Sequence, residues 1–403
     1  SISKVSGYTQ RGATINAGYN IPGAIGANKT DGTQKQIVIC DGAASSDAYT
    51  YNAVTNTWTP HVLSLSSGAK AEFEPFLDGF FMVNFEDATR WNNFTQWYTT
   101  TNVTSAAKAK YIKTLYDRVY LGYVVSGGTT FSSRVTYSNL PTGVPMTITW
   151  DDTNNYFDVS PDDGDVIKGF EVNSGRLLIL KENSFYRYDT NNLVLVPGSP
   201  GTVSQRSVKN IEGWTFYLHS TGIWGYDGST AKLLSRRVQE LINGVSTKNL
   251  VDACAVARGD HYEVYLGDIN NTKTGLTISK CLLDYDISKN AFTWKSLEEE
   301  PNVFFDFRDD RSSVTYNDAT ITYNNADIMY NGLMSAEQRV YFGNRDGSVF
   351  QFDTGSNYNG IDIAFLVETK EFYLDSPSNY KLLHKIYVFV NRGKGLTIQY
   401  KMD

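Results

Sequence analysis

Two stretches cut to one pattern decide the reading of this chain: Arg176-Leu-Leu-Ile-Leu-Lys-Glu-Asn-Ser-Phe-Tyr-Arg-Tyr188-Asp189 and Trp214-Thr-Phe-Tyr-Leu-His-Ser-Thr-Gly-Ile-Trp-Gly-Tyr226-Asp227. In each, an apolar strand meets a polar break, Lys181 to Ser184 in the first and His219 to Gly222 in the second. A second strand then ends in Tyr-Asp and a turn. Short apolar runs bounded by turn residues read as strands, and their back-to-back repetition reads as a serial β-meander of the kind that builds propeller blades.

Outward from this pair the same units recur. Tyr49-x-Tyr51, a polar turn and Thr55-x-Thr57-Trp58 form a blade end like that of kelch repeats, and Leu283-Asp-Tyr-Asp286 with Phe292-x-Trp294 repeats its shape far along the chain. Further hairpins read over Ala71 to Trp97, Lys110 to Ser138, Val251 to Trp294 and Val303 to Asp353. Units spaced by roughly 40 to 50 residues match propeller periods. The expectation is an all-β fold, a β-propeller of about six to seven blades over residues 35–355. Residues 1–34, rich in Gly, Asn, Thr and Ala, read as an extended arm ordered against a neighbouring subunit or the domain edge. Beyond Gly355, longer alternating strands over 356–403 suggest a small terminal β-sandwich-like domain. The segment Asn139 to Asp165, with Pro141, Pro145 and Pro161, reads as a long surface loop carrying one strand, Thr147 to Trp150.

One helix interrupts the series. Val238, Leu241, Ile242 and Val245 recur at helical spacing after Ser235, which suits a cap, and before Gly244, which suits a stop. A helix has no role in closing a propeller. Arg236, Arg237 and Glu240 are therefore expected to lie exposed at a subunit or partner contact, with Val238, Leu241 and Ile242 packed on the blades.

Composition agrees with strands. Aromatic residues make up 14% and charged residues only 20%, and the 33 Gly suit many tight turns. The net charge of -7 supplies no basic field to draw the chain onto nucleic acid. Cys40, Cys254 and Cys281 are far apart with no CxxC spacing, so buried free thiols are expected rather than a disulfide framework or a zinc site. No run approaches the roughly 18 apolar residues of a membrane span, and no basic-then-apolar leader pattern is present.

The chemistry-bearing residues carry no catalytic arrangement. Asp151 and Asp152, Asp162, Asp163 and Asp165, Glu298 to Glu300, and Asp306, Asp309 and Asp310 sit among turn residues and read as solvated loop acids, not as a glycosidase pair. Ser160-Pro-Asp162-Asp-Gly164-Asp comes near the Asp-box of sialidase-type propellers, but Ile167 fails its last position; a calcium loop on the same acids lacks the closing Glu of an EF-hand. His61, His219, His261 and His384 stand singly. Neither catalytic, cofactor-binding nor metal residues are assigned. Trp91 and Trp97, beside Asn92 and Asn93, suit stacking on sugars if exposed, and hydrophobic cover of a blade if not. An intracellular kelch-like scaffold is disfavoured, because Gly127-Gly128 is the one Gly pair of its kind and no blade-end Tyr and Trp follow it.

Asp165-Val-Ile-Lys-Gly169-Phe, Leu178-Ile-Leu and Asn183-Ser-Phe-Tyr-Arg-Tyr188, followed by Gly201 to Ser207 and Ser235 to Ile242, resemble a family pattern. It is that of the packaged-DNA stabilisation or nozzle propellers, which end the tail tube of short-tailed bacteriophages. The resemblance covers Asp165 to Val245, and the first hundred residues depart from it. It implies a structural protein of the virion tail, a homo-hexameric ring around the DNA exit channel and a platform for other tail proteins and fibres. DNA would pass through the lumen without sequence-specific binding. The pattern carries no catalytic residues and no cofactor. The alternative is an extracellular propeller that binds or cleaves carbohydrate.

Overall fold

Leu177, Leu178, Ile179 and Leu180 are an unbroken apolar run, which a strand with one wet face does not carry. The computed structural model gives the reason. It describes residues 6–99, 103–104, 106–142, 147–151, 153–309 and 337–363. Successive side chains of a strand point to opposite faces. Leu177 and Ile179 thus pack toward Tyr120, Val135 and Phe170, while Leu178 and Leu180 pack toward Phe185, Tyr217 and Tyr226. Both faces of the sheet are buried.

The chain is a seven-bladed β-propeller. Blade 1 holds Gly23–Asn28, Gln34–Cys40, Ser46–Asn52 and Thr57–Leu65, and blade 2 runs from Glu72–Phe76 to Trp97–Tyr98. Blade 3 has inner strand Lys108–Leu115 and outer strand Tyr156–Asp158; blade 4 runs from Ile167–Asn173 to Leu193–Leu195. Blade 5 spans Lys209–Ile211 to Ala231–Leu233, and blade 6 spans Cys254–Arg258 to Ala291–Ser296. Blade 7 is Pro301–Asp309, Glu337–Asn344 and Val349–Phe352, completed by Tyr8–Gln10. Every blade is antiparallel, and each inner strand touches the inner strands on either side.

Seven apolar clusters fill the seven seams between these blades. Blades 1 and 2 meet through Ile37, Ile39, Phe80 and Met82, and blades 7 and 1 through Val38, Cys40, Phe305 and Tyr341. Alternate residues of one strand thus serve two seams. Burying an aliphatic side chain contributes about 1.5–3 kcal/mol, so one strand's run ties three blades together.

The ring opens earlier and closes later than the sequence suggests. Residues 1–34 were expected to lie outside it, yet Gly23–Asn28 is the inner strand of blade 1 and Tyr8–Gln10 is the fourth strand of blade 7. Tyr8 pairs with Phe352 and Gln10 with Phe350. The Tyr8 ring is fully buried, 5.2 Å from Phe342 edge-on and stacked at 4.8 Å on Tyr358. Its hydroxyl oxygen accepts from the N–H groups of Glu298 (3.2 Å) and Glu299 (2.8 Å), and burial raises its pKa far above the ordinary phenol value. Past Gly355, Asn357–Tyr358 and Ile361–Asp362 still extend this sheet. Of the terminal sandwich expected over 356–403, residues 364–403 lie outside the described residues.

The interruption between blades 5 and 6 is a 3₁₀ turn, Ser235–Val238, leading into α1 (Gln239–Asn243) and then α2 (Thr247–Asp252). Ser235 is not the cap expected of it. Its hydroxyl is buried and accepts from Ile223 N–H at 3.0 Å, holding the insertion onto blade 5. The capping side chain is Ser246, which accepts from Asn249 N–H at the start of α2. Gly244 does end α1, with ordinary right-handed dihedrals.

Removing the Tyr8 ring leaves a cavity in the closing seam. Tyr8→Ala is expected to cost about 3–5 kcal/mol, read as a lower urea midpoint. A loss below roughly 1 kcal/mol, the ordinary scale of a single substitution, would show that the amino-terminal strand does not hold the ring shut.

Candidate functional site

The link between blades 4 and 5 does not run over the surface. Arg206, 8% exposed, reaches Glu72 Oε1 at 3.2 Å, Asn302 O at 3.0 Å, Ala71 O at 3.4 Å and Pro22 O. These acceptors lie at or just before the inner strands of blades 2, 7 and 1. A side chain reaching all of them from the far side of the ring lies on its axis. Its neighbours extend the lock. Ser204 Oγ donates to Ala253 O ahead of blade 6 (2.7 Å), and the Gln205 amide donates to Phe170 O and accepts from Phe170 N–H in blade 4. Thr202 Oγ1 donates to Leu218 O in blade 5, and Tyr262 of blade 6 donates to Ser207 O. A buried guanidinium needs a carboxylate and further acceptors; Glu72 and three carbonyls supply them.

Two glycines make room for this segment. A Cβ on Gly169 would stand 2.2 Å from Gln205 Oε1, and one on Gly201 would stand 1.7 Å from Lys181 O. Beside the lock, Lys113 of blade 3 bridges Glu74 of blade 2 (3.3 Å) and Glu171 of blade 4 (3.1 Å). Burial pushes the Glu74 carboxyl up, with Lys113 and Thr114 opposing; burial also disfavours the Lys113 ammonium, but Glu171 and Glu74 outweigh it and raise its pKa.

The near-Asp-box loop is a structural knot around an internal cation. Lys181, with no exposed surface, donates to Val159 O, Ser160 O and both oxygens of Asp163, the last two at 2.7 Å. Asp165 accepts from Glu182 N–H, Asn183 N–H and Ser184 Oγ, stitching the break of the first quoted hairpin. Among the described residues there is no cluster of three metal-ligating groups.

Arg236, Arg237 and Glu240 are exposed, Val238 is half-buried, and Leu241 and Ile242 pack into the seam of blades 5 and 6. Trp91 does not face solvent: it is 6% exposed, stacked on Tyr98 and packed against blade 3, so it offers no face to a sugar. Trp97 lies edge-on to Phe80 at 5.4 Å, half-buried. Asp151 caps its own turn through Thr153 and Asn154, while Asp152 and Asp310 lie outside the described residues. His61 pairs with Thr50, His219 with Thr221 and His261 with Asp284; His384 is outside the described residues. The three cysteines are buried free thiols, and burial pushes Cys281 up to about 12.

One feature was not visible in the sequence. In blade 1 the pairing of the second and third strands stops at Ile37 with Thr50, although the flanking ladders continue to Gln34 and to Asn52. The strands splay and leave a cleft of about 460 Å³ beside blade 7, lined by Arg11, Lys35, Gln36, Thr50, Tyr51, His61 and Phe307 among others. Gln36 is 2% exposed, yet neither atom of its amide has a hydrogen-bond partner among the described residues. Leaving a buried polar group unsatisfied costs about 1–3 kcal/mol, so such a group calls for a function. Arg11 lies over the Tyr51 ring at 4.2 Å and the Tyr341 ring at 5.5 Å, and its buried Nε makes no hydrogen bond among the described residues.

No family model and no curated protein matches this chain. Solved structures do. BamB from Moraxella catarrhalis aligns with a TM-score of 0.43 at 12% identity, over 82% of this chain and 81% of that one. YCF48 bound to D1 peptide aligns with a TM-score of 0.48 at 8% identity, over 87% and 98%. The likeness is one of fold. Among the described residues no helix is long and apolar enough to cross a membrane.

The axial lock predicts its own cost. Arg206→Ala strands the Glu72 carboxylate and frees carbonyls of three blades, and is expected to lower stability by about 3–5 kcal/mol in urea unfolding. A change within about 0.5 kcal/mol, the scale of surface substitutions, would deny the lock.

His219 sets a second expectation. Burial holds its pKa below the ordinary value, with Glu182 and Asp165 opposing. The folded imidazole resists protonation, so its contribution is whole above the unfolded pKa of about 6.5 and drains away as pH falls below it. His219→Gln should therefore flatten the fall of the urea midpoint between pH 7 and pH 5.5; an unchanged slope would refute the assignment.

Proposed function

We propose that this chain is a non-enzymatic structural subunit of a bacteriophage tail, one copy in a homo-hexameric ring around the DNA exit channel that also seats tail fibres. The observation that carries the reading is the role of the residues in the resembling stretch. Asp165 and Ser184 bond to each other, Gly169 lies against Gln205, and Gly201 to Ser207 holds the axial lock. These roles of the shared pattern support a closed, rigid propeller. With Arg206 across the axis, the path for DNA is the lumen between subunits, not the channel of one propeller. The acidic balance of the chain suits a lumen along which DNA slides without adhering.

The helical insertion is the proposed subunit contact; in support, Arg236, Arg237 and Glu240 stand out from an apolar underside held by the blades. The mass of the native assembly, measured by light scattering, tests the ring: a strict monomer at high concentration would refute it. Replacing Arg236 and Arg237 by Glu is expected to weaken assembly at least tenfold, about 1.4 kcal/mol, with unchanged circular dichroism. Unaltered assembly would remove the insertion from the interface.

A further inference from the structure

We propose that the cleft between the splayed strands of blade 1 and the edge of blade 7 binds an acidic saccharide, a sugar ring bearing a carboxylate. The proposal stands independently of the tail reading. Its foundation is Gln36, whose buried amide presents a carbonyl acceptor and two N–H donors with no partner among the described residues. On its strand, Val38 and Cys40 pack in the seam with blade 7, so by alternation Gln36 projects toward the same side as Phe307 and Arg11. A group that can both give and take a hydrogen bond is what a ring hydroxyl requires.

Charge selects the rest of the ligand. The lining carries Arg11 and Lys35 and no carboxylate, in a chain whose net charge is -7. The Arg11 backbone is fixed at both ends: its N–H donates to Val349 O at 2.7 Å, and its carbonyl accepts from Trp58 Nε1 at 3.0 Å. Its guanidinium, held over two tyrosine rings, keeps a planar donor edge suited to a carboxylate. The Lys35 ammonium is already engaged by Phe94 O, which leaves Arg11 as the anchor. Burial, and after it Lys35, lowers the pKa of His61, so its ring is neutral at pH 7 and available to hydroxyls rather than anions. One anchoring cation and an unpartnered amide fit one carboxylate on a hydroxylated ring better than a phosphate, which would call for several converging cations.

The test is calorimetric titration of the full chain with glucuronate and with N-acetylneuraminate, beside glucose and inorganic phosphate. The expected result is binding of at least one acidic sugar, roughly tenfold or more tighter than either control. Gln36→Met, which keeps the size of the side chain, should weaken that binding roughly tenfold without lowering the thermal midpoint; Arg11→Lys should weaken it as well, because the planar fork is lost while the charge remains. Phosphate binding as tight as the sugars would overturn the proposal in favour of a general anion site. Absence of binding by both acidic sugars at millimolar concentration, equal binding of glucose, or undiminished binding by Gln36→Met would each overturn it too.

Discussion

The Arg206 guanidinium stands where a propeller is weakest. Blades pack on their neighbours through apolar seams, but nothing in that packing holds opposite sides of a ring together, and the inner strands converge on an axis where backbone groups need partners. Carrying one cation from the link between blades 4 and 5 onto that axis gives carbonyls ahead of blades 1, 2 and 7 a common donor. The arrangement is favourable because Glu72 neutralises the charge and three backbone oxygens accept from the remaining nitrogens. Gly169 follows from it, since Gln205 must lie against blade 4 for Arg206 to reach the centre.

What was legible in the sequence is what is local. The runs at Leu177 to Leu180 and Trp214 to His219 announce strands buried on both faces, and the Tyr-Asp turns that follow mark where a blade ends. These signals lie within a dozen residues, so hairpins and approximate blade number come through. The closing strand does not. Tyr8 finds its partners near Phe350, across almost the whole chain, and a three-residue strand inside a Gly-rich segment has too little apolar pattern to announce itself. The same distance hides Arg206, an unremarkable basic residue in a polar link until the ring brings Pro22, Ala71 and Asn302 around it.

Two residues show long-range packing deciding between the local roles open to a residue type. Ser235 precedes a helical pattern and so read as a cap, but its hydroxyl turns inward to Ile223, and capping falls to Ser246 at the next helix. Trp91, among asparagines, was open to hydrophobic cover of a blade or to a sugar platform, and it is the cover: its indole fills the seam with blade 3. In both, long-range packing outweighs local chemistry. The candidate cleft at Gln36 is illegible for the complementary reason, because it arises from the early end of one strand ladder, and the residues on either side of that end have strand character.

The same physics separates the two surfaces proposed to carry function. The helical insertion adds nothing to ring closure: its apolar underside is satisfied by blades 5 and 6, and its charged side is left to solvent. The cleft, in contrast, is a gap within a blade, where a buried amide and a buried guanidinium nitrogen have no partner among the described residues. A fold that satisfies Lys181 with four acceptors and Arg206 with carbonyls from three blades leaves the Gln36 side-chain amide without a partner among the described residues. The early end of the ladder lies beside a cation held over two aromatic rings, and it is on this juxtaposition that the proposed occupant of the cleft rests.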